Sequence, residues 1–134
     1  MKLRALVLLV AALALAACKD GTGPEDVAGV YSLKSVDGAK LPLPLGTDSL
    51  GYRYEVSSAY LALAADGVVI LAETVRITFR TQSTTDTQAL TGSWTASGDE
   101  IRMTFPATGD VLLGKLKGST LTVTVGTSTA IYVR

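Results

Sequence analysis

Cys18 is the only thiol in the chain, and it stands directly after Leu15-Ala16-Ala17. A thiolate is a strong nucleophile, so the chemistry open to this position is acylation or alkylation. With no second cysteine, an intramolecular disulfide is excluded. Histidine is absent as well, which removes the commonest general base and the commonest metal ligand together. Serine and threonine therefore lack their usual activating partner, and Ser35 beside Lys34 has no surrounding motif that would make it a Ser–Lys pair. The carboxylates single out no acid/base pair. Asp66 and Asp99-Glu100 fall at turn signals, where Asp supports the turn, and Arg53 and Glu55 are expected to form an exposed ion pair on one strand face. Arg76 and Arg80 flank Thr78 on one face, either as an anion contact or as a solvated surface with Glu73 and Asp86 near in sequence. Among the aromatics, Tyr31, Tyr54, Phe79, Trp94 and Phe105 are the candidates for lining a ligand pocket. The same side chains would also serve as core and rim of a β domain. No catalytic residue, metal site or cofactor is indicated, and the expectation is a protein that is not an enzyme.

The segment that delivers Cys18 has its own pattern. Lys2 and Arg4 precede an uncharged apolar run, residues 5–17. A positive start followed by a short apolar stretch is the pattern of a secretory signal peptide, and it is shorter than the roughly 20 residues a spanning helix needs. Leu15-Ala16-Ala17-Cys18 resembles the lipobox of bacterial lipoproteins. The resemblance implies a diacylglyceryl group on the Cys18 thiol, cleavage after Ala17, and attachment to the membrane through lipid. Lys19 after the lipidated cysteine implies the outer membrane where a cell has two.

Residues 1–17 thus read as a signal peptide, 18–28 as the lipidated cysteine and a polar Gly/Pro-containing tether, and 29–134 as one domain. Of 134 residues, 117 remain after cleavage, with 10 Lys and Arg against 12 Asp and Glu, a formal charge of −2. That balance, without a basic cluster, argues against nucleic acid as a partner. From Gly29 onward the dominant period is two. Val75, Ile77 and Phe79 alternate with Arg76, Thr78 and Arg80; Ile101, Met103 and Phe105 form another face; Leu121, Val123 and Val125 alternate with Thr120, Thr122 and Thr124. Asp37-Gly38, Asp66-Gly67, Ser97-Gly98 and Lys117-Gly118 are turn pairs. Residues 39–51 read as a loop, because Pro42 and Pro44 lack backbone donors, and residues 82–87 as a polar loop. A strand over about 52–63 is expected to break near Ser57-Ser58. The fold class is all-β: an antiparallel up-and-down meander of eight or nine strands, closing into a barrel.

Gly29-Val30-Tyr31-Ser32-Leu33 with Val36-Asp37-Gly38 and Leu41-Pro42, and later Gly92-Ser93-Trp94-Thr95 and Tyr132-Val133-Arg134, resemble small bacterial lipocalin-like lipoproteins. The resemblance implies an eight-stranded barrel whose interior holds a small hydrophobic ligand. It also implies that the last strand pairs with the first and that Arg134 covers Tyr31. The chain departs from lipocalins in having Gly-x-Tyr where they have Gly-x-Trp. Two functions follow as expectations: an anchored envelope protein binding a small apolar ligand, or an interaction module with a filled core that contacts an envelope protein through 38–51 and 82–87.

Cys18→Ala is expected to abolish lipid attachment. Incorporation of a radioactive fatty acid checks this, and equal label on variant and wild type would refute the lipoprotein reading.

Overall fold

The structure, a computed structural model, describes residues 24–134. The apolar leader, Cys18 and most of the tether lie outside the described residues. The elements are α1 (Pro24–Val27), β1 (Gly29–Val36), β2 (Ala39–Lys40), β3 (Leu43–Thr47), β4 (Arg53–Leu63), β5 (Val68–Phe79), β6 (Gln82–Ser97), β7 (Glu100–Phe105), β8 (Asp110–Lys117), β9 (Thr120–Val125) and β10 (Ser128–Val133). From β3 to β10 each strand pairs antiparallel with the next. β10 then pairs with β1, and β1 with β4, which closes an eight-stranded up-and-down barrel with β2 and β3 as additions. Period-two patterning drives this arrangement: Ile101, Met103 and Phe105 of β7 and Leu121 and Val123 of β9 are buried inside, while their neighbours face out.

Closure rests on two short strands. Leu33 lies opposite Tyr132 and Val36 opposite Ala130, with a bulge between. Asp37 fastens the upper end. It adopts φ 50° in the Asp37-Gly38 turn, a conformation Asp tolerates. Its N–H donates to the Thr129 carbonyl at 2.8 Å, and the Thr129 N–H donates to its Oδ1 at 2.8 Å. Arg134 fastens the lower end. Its guanidinium lies 5.4 Å from the Tyr31 ring centre, and Nη1 donates to the carbonyls of Asp26 and Ala28 at 2.9 and 3.1 Å. The Tyr31 hydroxyl donates to the Val27 carbonyl. Gly29 is required beneath this arm, since a Cβ there would come within 2.6 Å of Arg134 Cδ and the backbone sits at φ 155°.

Five expectations change. Residues 24–27 are a helical turn rather than tether, because Val27 gains complete burial at the base of the barrel. The 39–51 stretch contains β2 and β3, with Pro44 in a strand at the sheet margin where a missing N–H is tolerated. Residues 82–87 are not a loop. They belong to β6 and pair with β5 through Phe79↔Gln82, leaving a two-residue turn in which Arg80 has φ 56°. Polar, threonine-rich sequence is compatible with a strand when its backbone groups are paired. The break expected near Ser57 is a bulge between Val56 and Ser58. Glu55 pairs with Arg76 at 3.0 Å instead of with Arg53: cross-strand neighbours are about 5 Å apart, whereas residues two apart on one strand are separated by about 7 Å.

At the seam, β1 residues 29–32 pair with β4 residues 60–63, but above them the strands splay. There β1 takes β2 as its neighbour and β4 takes β3. β4, β5 and β6 rise beyond the rest of the barrel as one tall wall. From Glu73 to Phe79 that wall extends six residues, about 20 Å. Val75, Ile77, Phe79, Tyr52 and Tyr54 share its inner face.

Trp94 is 5% exposed, and its indole Nε1 donates to the Ala64 carbonyl at 2.8 Å. Trp94→Ala is expected to lower stability by about 3–5 kcal/mol, measured by denaturant unfolding, and wild-type fluorescence should be that of a buried indole. Deleting Ile131–Arg134 opens the edges of β1 and β9 together. The shortened chain is expected to aggregate or unfold, and near-native melting of a monomer would contradict closure as the source of stability.

Candidate functional site

The barrel is a cup with a sealed floor and an open mouth. Val27, Tyr31 and Trp94 fill the floor, under the arm of Arg134. Toward the other end the inward residues include small ones, Ala59 and Ala130, and a cavity of about 480 Å3 remains, open to solvent at the mouth. β1 contributes Leu33 and Val36; β3 contributes Leu43 and Leu45. Leu71, Leu90, Phe105, Leu112 and Val123 line the facing walls. The volume lies within the range of small-molecule sites, and such sites are apolar with a few polar groups that orient the ligand. Here the polar groups are Glu73, Asp110, Ser128 and Tyr132.

Glu73 is a carboxylate on the otherwise apolar inner face of β5. Leu71 and Val75 share its side of β5, and Ala59 and Gln88 are its cross-strand neighbours. The alternation that sends its neighbours outward sends Glu73 in, half-buried. Burial, reinforced by the negative charge of Glu73, pushes the Tyr132 hydroxyl up from 10.0 to about 12. The phenol therefore stays protonated and able to donate. At the rim, the Asp37 carboxyl is held below its usual range by the Thr129 N–H and the Ser128 hydroxyl, against a smaller opposing effect of burial.

Of the five aromatics singled out from the sequence, Phe105 lines the cavity. Tyr31 and Trp94 lie in the floor. Tyr54 stands on the tall wall, where its hydroxyl donates to Asp48 Oδ2 at 3.0 Å. Phe79, near the tip of that wall, stacks on Tyr52 at 4.5 Å with Arg80 5.2 Å from its ring centre. Tyr132, Glu73 and the aliphatic lining were not singled out. The break in apolar periodicity at Glu73 was the available signal.

A second concavity, about 470 Å3, lies on the outer surface of β6–β9, between Thr95, Arg102, Leu113, Lys115 and Thr122. Its lining mixes charges of both signs with outward threonines. No group of three or more potential metal-ligating side chains occurs among the described residues, and no described helix is long and apolar enough to cross a membrane. No protein-family model matches the chain, and neither does any curated protein or any solved structure.

Tyr132 sets a dependence on alkaline pH. The unfolded phenol ionises near 10 and the folded one near 12. Its contribution is intact below the unfolded value and is lost as pH rises through the folded one, by about 2–3 kcal/mol. Denaturant midpoints from neutral to strongly alkaline pH are expected to fall more steeply for wild type than for Tyr132→Phe.

Proposed function

We propose that this chain is a lipid-anchored, lipocalin-like protein of the bacterial cell envelope that binds a small apolar ligand in its barrel and catalyses no reaction. The half-open cavity of about 480 Å3 with aliphatic walls carries this reading. A filled core would have favoured the alternative, an interaction module, and this interior is filled only in its lower half.

The anchor and the cup are compatible in direction. The tether enters at α1, on the floor side, and the mouth lies at the opposite end. Residues 19–23 separate the lipidated position from α1, and even fully extended they reach about 20 Å. The floor is thereby held near the membrane with the mouth turned away from it. Ligand exchange then takes place with the aqueous envelope compartment or with a partner protein docking on the tall wall. The Lys19 position favours the outer membrane in a cell with two.

Leu71 is half-buried and lines the cavity. Leu71→Trp is expected to fill the cavity and abolish binding of an environment-sensitive apolar dye while the melting temperature changes little. Wild type that binds no such dye, and carries no small molecule through native mass spectrometry, would overturn the proposal.

A further inference from the structure

We infer that the cavity selects lipophilic amines: ligands with an apolar body and a cationic head, in preference to fatty acids of the same length. This inference rests on the ligand-binding reading above and specifies the ligand class. The argument is one of charge. Two carboxylates, Glu73 and Asp110, line the cavity, and among the described residues no lysine or arginine does. Among the described residues, the ion pair formed is Arg76 with Glu55. That pair belongs to the outward face of the tall wall: Val75 and Val56 point inward, so Arg76 and Glu55 point away. Among the described residues neither Glu73 nor Asp110 is ion-paired, and Asp37 adds a third negative charge at the rim.

Walls of low polarizability strengthen the field of charges at a cavity mouth. An ammonium head brings three donors and no acceptor, which matches two carboxylates and the hydroxyl oxygens of Ser128 and Tyr132. A carboxylate head brings acceptors only. It would have the Tyr132 hydroxyl as a donor, with the Ser128 hydroxyl engaged by Asp37, and would face two like charges. The apolar body has its own place against Leu33, Leu71, Leu90, Phe105, Leu112 and Val123. Position on the wall supports the same division: Glu73 lies one step toward the mouth from Leu71 on the same face of β5, so head and body sort along the barrel axis.

The test uses the full chain carrying Cys18→Ala, so that lipid and detergent do not compete. Dodecylamine, dodecanol and dodecanoate are titrated against a bound apolar fluorophore. Dodecylamine is expected to displace it at concentrations about tenfold or more below those needed for dodecanoate, with dodecanol between them. Glu73→Gln, nearly isosteric, should weaken the amine and narrow the gap, and Asp110→Asn should narrow it further, both without a change in melting. Dodecanoate binding as well as or better than dodecylamine would overturn the inference while leaving the ligand-binding reading in place. An amine preference unchanged in the double variant would also overturn it. If none of the three displaces the fluorophore, or no fluorophore binds, both the inference and the reading beneath it fail.

Discussion

The pairing of β1 with β10, clamped at one end by Asp37 and at the other by Arg134, is the contact on which the rest of the molecule depends. A meander of strands has two free edges, each a row of unpaired backbone donors and acceptors. Joining them removes both edges and gives the sheet an inside. With a single cysteine, no disulfide is available to hold the closure. It is held by a few ladder bonds, by side-chain oxygens of one turn, and by one arginine. Arg134 does three things at once: it covers an aromatic face, satisfies two carbonyls at the end of α1, and packs across Gly29 where a larger residue would not fit. The guanidinium suits that task because it stacks on a ring and donates in its own plane.

Closure creates the interior, but side-chain volume decides how much of it is empty. Eight strands enclose a space that side chains alone can fill or that can hold one small ligand. Near the floor the large residues win. Tyr31, Leu61, Ile101 and Met103 are at most 1% exposed. Higher up, at the end of β7, Gly92 permits a close approach, because a Cβ there would collide with the Thr104 carbonyl and crowd Phe105. Near the mouth, Ala59 and Ala130 replace large residues and the walls separate. The two ends of one barrel therefore differ in kind: one is a packed core and the other a cup.

The splayed seam makes the cup asymmetric. Between β1 and β4 the chain inserts β2 and β3 where the two strands would otherwise pair along their full length. The outcome is a short rim on the β7–β10 side and a tall wall on the β3–β6 side. The wall's inner face carries Val75, Ile77 and Phe79 on β5, but Gln82, Thr84 and Asp86 on β6. Apolar and polar strips run side by side up to the tip, and the stack of Tyr52 on Phe79 holds its end together.

Much of this was legible in the residues. Period-two alternation identifies β5, β7 and β9, because inward and outward positions on a strand must differ in polarity when one face is buried, and the Asp66-Gly67, Ser97-Gly98 and Lys117-Gly118 pairs mark the turns before them. The all-β class and the meander follow from that local rule, and the closing pair from the need of a meander to remove its two free edges. At residues 82–87 polarity points to a loop, while pairing with β5 satisfies that backbone whatever its side chains. The helical turn before Gly29 escaped for a related reason, since four residues carry no period and only the buried site for Val27 selects the turn. The cavity was beyond the reach of any local rule. Whether Phe105 lines it and Trp94 does not, and whether Glu73 turns toward Tyr132 or toward water, depends on how far apart opposite walls stand. Alternation along each strand settles which residues face inward. Where those side chains meet and where they leave a space is set by the folded barrel, because the distance between opposite walls is a property of closure, bulges and splay acting together and of no single strand.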